Sequence, residues 1–353
     1  MRLFADIDAL PAGTAERLLG GAGFFSSAVW WRTVWEAGVP TEGTPLFGLA
    51  GAGEAEVLFA LWRDASGRIG ALTNPYTCLY QPMAGTPADR HGADIHAAGR
   101  ELARLARGGM LRLDALDPDW PGLAPLVAGA RAGGLVALRF DHFGNWHEPV
   151  AGRDWRGYLA ARPGALRETV RRRLRDAERN AALSFAVLSE PMELPAGIAE
   201  YEAVYARSWK EAEPYPRFNA VLMHEAAQAG LLRLGVLRLS GQAIAVQLWI
   251  VQDGVASVLK LAHDEAHKPL SPGTVMTAWM IRRLIATEQV ETIDFGRGDD
   301  AYKQLWTSKR RQRIGLVLAA PWHPTGVAAL LRHAAGRLRH RLAGATADGA
   351  STG

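Results

Sequence analysis

At 353 residues the chain exceeds one typical core and suits two domains of about 150–180 residues each. A hydrophobic fraction of 48% and a charged fraction of 22% exclude the disordered and fibrous classes. Apolar runs such as Leu248 to Val251 fall far short of the roughly 18–20 residues of a membrane span, and Cys78, the lone cysteine, excludes an intrachain disulfide. Asp6 and Asp8 stand where a signal peptide needs its apolar segment, so a cytoplasmic location is expected. The net charge of +4 comes from 40 basic against 36 acidic residues, and only five of the basic ones are lysines: Lys210, Lys260, Lys268, Lys303 and Lys309. An Arg- and Ala-rich composition makes the basicity weak evidence for a nucleic-acid partner, whereas the scarce lysines stand out.

In chain order, helical patterns near 13–20 and 27–37 precede strands near 45–50, 55–62 and 68–73. A long helix near 89–107 leads to a strand at 110–115, a helix near 121–132 and a strand at 134–140. Trp30, Trp31 and Trp35 are expected to supply core to this first half, and Cys78 to be a buried structural thiol. Residues 141–155, with their His, Gly and Pro, read as a connector. The Arg-rich helix at 164–180 is either a solvated face or a surface for phosphates.

The second half repeats the order more clearly. A strand at 183–190 is followed by helices near 197–212 and 218–229, then by a meander over 232–239, 243–251 and 255–262 whose Asp253-Gly254 is a strong hairpin signal. Ser271 is placed to cap a helix with Pro272 in its first position, and Met276, Met280 and Leu284 recur every four residues. A strand at 290–295, a short helix at 299–308 and a strand at 313–319 complete the unit. The tail from 325 to 343 reads as a basic amphipathic helix suited to packing or a partner contact. The expected division is 1–140, a connector at 141–155, a second unit at 156–320 and a tail at 321–353. No sequence repeat links the halves, so their similarity is one of topology.

The Ser271-Pro272-Gly273 turn gathers backbone N–H groups at the positive end of a helix dipole, a setting for anions. With that turn between a fourth strand and its helix, the order over 183–320 resembles the GNAT acyltransferases. HDEAHKPLSPG (263–273), IDFGRGDDAYKQLW (293–306) and RSWK (207–210) look like the Fem-related GNAT branch often annotated in cellulose or exopolysaccharide clusters. The resemblance implies an α/β (α+β) fold of tandem GNAT-like units, each a mixed, mostly antiparallel sheet flanked by helices. It implies an acyl-CoA as co-substrate, with pantetheine between the strands 255–263 and 290–296 and pyrophosphate on the amides of Leu270, Ser271, Gly273 and Thr274. The loop departs from the usual Gln/Arg-x-x-Gly-x-Gly/Ala signature, because Pro269 and Pro272 each lack an N–H. Fem-type enzymes that use aminoacyl-tRNA carry a helical hairpin arm, and no segment here is long enough for one.

Acyl transfer from a thioester to an amine needs a base, a dipole for the oxyanion and an acid for the thiolate. In the family frame Tyr302 is the candidate acid, Asp264 or Asp299 the candidate base, and Lys303 a partner for a phosphate or carboxylate. Asp294 and Asp299 flank the Gly296-Arg297-Gly298 turn, where Asp294 could orient the acceptor; Lys260 could pair with Asp264 or Asp294; and Gln247 and Trp249 share a strand face as acceptor-pocket candidates. His263 and His267 do not form a zinc motif, since the segment leaves a strand and meets Pro269 rather than continuing as a helix. The expected acceptor is an amine of an amino sugar or small metabolite, with no metal. Transfer from aminoacyl-tRNA and a non-catalytic binding role in a polysaccharide-synthesis assembly are the alternatives.

Overall fold

The computed structural model describes residues 1–19, 23–39, 42–85 and 91–349, with backbone alone for 337–349. The first half holds β1 (Arg2–Phe4), α1 (Thr14–Leu19), α2 (Ala28–Ala37), β2 (Thr44–Ala50), β3 (Val57–Arg63), β4 (Ile69–Ala71), α3 (Gly92–Leu105), β5 (Met110–Leu116) and α4 (Leu123–Ala132). Next come β6 (Val136–Pro149), α5 (Trp155–Ala160), α6 (Gly164–Arg179), β7 (Leu183–Leu188), α7 (Leu194–Ala206), α8 (Phe218–Gln228), β8 (Leu232–Leu239), β9 (Gln242–Gln252) and β10 (Val255–His263). The chain finishes with α9 (Pro272–Glu288), β11 (Thr292–Arg297), α10 (Lys303–Trp306), β12 (Lys309–Ala319) and α11 (Pro324–Gly349). The expected helix at 89–107 begins partly outside the described residues, and so does the end of that at 13–20.

The chain forms two units. The first takes Met1–Ala22, Val39–His142 and Arg313–Gly353; the second takes Gly23–Gly38 and Phe143–Gln312. In the first, strands run in the order β1, β2, β3, β4, β5, β12; every pair is antiparallel except β4 with β5. In the second the order is β7, β8, β9, β10, β11, β6, again antiparallel except for β10 with β11. Two helices lie between the first two strands of each series and one long helix between the fourth and fifth. In each unit the strands are mixed and mostly antiparallel with flanking helices, as expected, although all twelve belong to one sheet.

Two expectations need correction. Residues 141–149 are not a connector: they continue β6, with Thr292 opposite Pro149, Ile293 opposite Glu148 and Asp294 opposite His147. The His and Gly residues that read as a linker are interleaved with Phe143 and Trp146, and the backbone of residues 145–149 pairs with the edge of β11. The tryptophans of α2 also serve the second unit rather than the first. Trp30 and Trp31 are fully buried, and Trp30 meets Phe218 of α8 edge to face at 5.7 Å.

The core of the second unit is built on α9. Met276, Met280 and Leu284 are buried as their spacing predicts, but so are Val275, Ala278, Ile281 and Ile285, because α9 is covered by the sheet and by Leu166, Val170 and Leu174 of α6. Each of the Met, Leu, Val and Ile side chains contributes about 1.5–3 kcal/mol by leaving water. Close approach to the sheet depends on Gly235 of β8: a Cβ there would lie 2.7 Å from Met280 Sδ and would also overlap Met276. Among the described residues no helix is long and apolar enough to cross a membrane.

Candidate functional site: a forked strand pair beside a helix start

The parallel ladder between β10 and β11 is short. It pairs Val255 with Thr292, Ala256 with Ile293 and Ser257 with Asp294, and there it ends, although β10 runs on to His263 and β11 to Arg297. On its other side β10 stays paired with β9, with a register shift between Val258 and Lys260 that leaves Leu259 without an opposite residue. A bulge of this kind bends the strand and re-aims its backbone groups. The second strand of the fork is deflected by a shift between Asp294 and Arg297 in its pairing with β6. The result is a fork whose two facing strand edges are not paired with each other.

The start of α9 stands at the end of the β10 wall. Ser271 adopts a left-handed conformation (φ 54°, ψ 47°) and its side chain does not cap the helix, contrary to expectation. Its own N–H is engaged with the Lys268 carbonyl at 2.9 Å, and Leu270 lies inside the turn Glu265–Leu270. Of the four amides expected to face an anion, those of Gly273 and Thr274 remain available, as first-turn N–H groups without intrahelical partners. A Cβ on Gly273 would lie 3.0 Å from His263 Nδ1, a contact tight enough that the ring would have to shift, and a larger side chain would press further into it. His263 packs on Trp209 with ring centroids 4.5 Å apart, and burial holds its imidazole below the ordinary value despite the opposing charge of Glu265.

The segment after α7 closes over β10. Arg207 donates to Asp264 at 2.7 Å and to the Ala243 carbonyl at 2.9 Å, Trp209 meets His263, and Glu213 accepts from Lys260 at 2.6 Å. RSWK carries Trp209 and Lys210 to this wall. Glu213, Trp209 and Lys210 were not among the expected site residues; the motif and the rarity of lysine were the signals.

The acidic candidates are occupied. Asp264 is buried, accepts from Ala266 N–H at 2.9 Å and pairs with Arg207. Burial acts to raise its carboxyl, but Arg207 and the Ala266 amide outweigh this and hold it below the usual range. Asp299 receives both Arg310 nitrogens, at 2.7 and 2.9 Å, and Trp146 Nε1 at 2.9 Å; chiefly through Arg310 its pKa falls to about 2. Both are weak bases, so neither suits the expected role. Asp294 accepts from Asn145 at 2.8 Å, from the Gly296 amide at 2.6 Å and from Arg311, which makes it a brace for the end of β11 rather than a free acceptor ligand.

Gln247 and Trp249 are correctly on one face of β9 but buried. Trp249 donates to Gln247 at 2.9 Å, Gln247 to Thr277 at 2.7 Å, and Thr277 to the Gly273 carbonyl at 2.9 Å, a chain that fixes the first turn of α9 from behind. They brace the first turn of α9 from the buried side of the sheet. Tyr302 follows β11, partly exposed, with its ring 6.2 Å from Phe295; burial raises its phenol above the ordinary value, so it holds its proton at neutral pH. Lys303 is buried and committed to the carbonyls of Arg297 and Gly298 and to Asp300 at 3.1 Å.

Residues 164–304 match the family model described as an acetyltransferase (GNAT) domain. No curated protein matches the chain in sequence. Among solved structures the fold is similar to FemX, at 10% identity over 94% of this chain and 100% of that one, TM-score 0.59. It is similar to L-PGS from Bacillus licheniformis, at 13% identity over 86% and 94%, TM-score 0.55. A third likeness is to the C-terminal DUF2156 domain of an Agrobacterium fabrum protein described as a lysylphosphatidylglycerol synthetase, at 14% identity over 81% and 87%, TM-score 0.52. The family model thus marks an acetyltransferase (GNAT) domain over 164–304, and the three structural likenesses show a shared fold.

Proposed function

We propose that the second unit is an acyltransferase that takes its acyl group from an acyl-CoA and passes it directly to an amine of an amino sugar or small metabolite, with exopolysaccharide assembly as one setting. The observation that carries this reading is the fork between β10 and β11 with the uncapped start of α9 at its end. The residues present suit the donor. Gly273 and Thr274 N–H would hold its pyrophosphate at the positive end of the helix dipole, and the free edge of β10 would pair with its pantetheine amides. Bound CoA supplies the activated acyl group as a thioester.

The chain's own residues then do three things. The bulge at Leu259, which has no opposite residue in β9, would turn a backbone N–H toward charge developing on the acyl oxygen. Tyr302 keeps its proton and can give it to the departing sulfur. Glu213, paired with Lys260 of β10, is the carboxylate we assign in place of Asp264 and Asp299 to receive the amine proton, its partner being a lysine on the fork rather than an arginine brace. A thiol-release assay tests this: acetyl-CoA with a panel of amines should yield free CoA only when an amine is present. Release that is independent of every amine contradicts it.

A second reading, transfer from an aminoacyl-tRNA, is favoured by one observation. Arg171, Arg172, Arg175 and Arg179 form an exposed ridge on α6. Binding of tRNA that weakens steeply with salt would support this reading, whereas binding indifferent to charge reversal of these arginines would remove it.

A further inference from the structure

Three of the chain's five lysines, Lys210, Lys260 and Lys303, belong to the segments that rim the fork, in a protein that otherwise uses arginine for positive charge. Two of them have carboxylate partners: Lys260 pairs with Glu213 at 2.6 Å and Lys303 with Asp300 at 3.1 Å. Lys210 differs. Its ammonium lies over the Trp209 ring, 5.3 Å from the centroid, exposed and with no carboxylate at ion-pair distance among the described residues. Trp209 stacks on His263 at the end of β10, and Glu213 of the same segment grips Lys260, so Lys210 is anchored to the β10 wall of the fork. Although its surface is open to solvent, the protein atoms packed around its ammonium partly desolvate it and, with the charges of Lys260 and Lys303, hold it below the ordinary value, against the pull of Asp300 and Glu213.

We propose that the acceptor is an amine carrying an anionic group, a carboxylate or a phosphate, which seats against Lys210 beside Lys260; this rests on the acyl-transfer reading of the same cleft. The charges acting on Lys210 are the ammonium groups of Lys260 and Lys303 and the carboxylates of Asp300 and Glu213, which leaves the charge of Lys210 itself for an anionic substituent to match. A simple amine or a diamine instead brings a further cation into a positive field. The same field has a catalytic use, because like charges nearby lower an amine's pKa. An acceptor held by its anion thus presents its nitrogen next to cations that favour the unprotonated, nucleophilic form.

Five lysines make the test direct. Full-length protein labelled with 13C at lysine Cε gives one side-chain resonance per lysine, and Lys210→Met identifies that of Lys210. The probes are glycine, O-phosphoethanolamine, ethanolamine and ethylenediamine, each titrated with and without CoA. The proposal expects glycine or O-phosphoethanolamine to shift the Lys210 and Lys260 resonances in a saturable way, and ethanolamine and ethylenediamine to leave them in place. Which anionic probe binds separates carboxylate from phosphate. Lys210→Met should weaken that probe at least tenfold and Lys210→Arg should restore it.

Equal responses to ethanolamine, or none to either anionic amine, would overturn the proposal. So would loss of the Lys210 response once CoA is bound, since the lysines would then serve the donor's phosphates. Failure of the acyl-CoA reading shows separately, as absence of CoA binding in calorimetry.

Discussion

Asp294 and Asp299 lie five positions apart at the end of one strand and differ in what surrounds them. Asp294 is buried and satisfies Asn145, the Gly296 amide and Arg311 at once. Replacing it with alanine strands these donors and should cost about 2–3 kcal/mol, read as a lower urea midpoint at unchanged slope. Asp299 is held ionised by Arg310, its pKa lowered from 3.8 to about 2. A depressed carboxyl contributes stability that is complete above the unfolded value and is lost as pH falls through the folded one. The difference in stability between wild type and Asp299→Asn should therefore be flat above pH 4 and shrink towards pH 2; thermal melts across that range measure it. Tyr302→Phe removes the proposed proton donor while keeping the ring on Phe295. It should lower kcat about 100-fold with little change in KM for the acyl donor, and an equal loss from a wrongly folded protein is excluded by its circular dichroism.

At the scale of elements, α9 and β10 carry the site because each departs from regularity at one point. The bulge at Leu259 and the left-handed Ser271 are invisible to periodicity, which reads β10 and α9 as unbroken. Apolar periodicity, hairpin signals and the Ser271-Pro272-Gly273 turn are enough to place the meander, the long helix and the strand after it within a few residues. They did not show which backbone amides are already engaged, so Ser271 and Leu270 counted as donors that the turn in fact consumes. Side-chain roles fared similarly: Gln247 and Trp249 share a face as alternation requires, yet that face packs under α9 and braces its first turn. Removing the first link of that support with Thr277→Val should loosen the start of α9. The expected result is faster amide exchange at Gly273 and Thr274 with the rest of the helix unchanged, and uniform exchange along α9 would contradict it.

Across the molecule, each unit completes a five-strand series with a sixth strand from elsewhere in the chain: β12 beside β5 in the first, β6 beside β11 in the second. This exchange is why 141–149 misled as a connector, since a segment leaving one unit for the other has the composition of a crossing and the hydrogen bonding of a strand. The units also differ where function would need them to agree. In the first, β4 is only Ile69–Ala71, too short to give a free edge beyond its pairing with β5, so the fork belongs to the second unit. Residues 164–304, the stretch that matches the acetyltransferase (GNAT) domain, contain both of its walls and the start of α9.

The central claim is that this fork and helix start bind an acyl-CoA. Isothermal titration of acetyl-CoA into wild type and Gly273→Trp tests it most directly, because a large side chain there would press into the space beside His263. The account predicts saturable binding to one site in wild type and a loss of at least 100-fold in the variant, about 2.7 kcal/mol, with folding preserved. No binding to wild type at millimolar acetyl-CoA, or equal affinities for the two proteins, would contradict it.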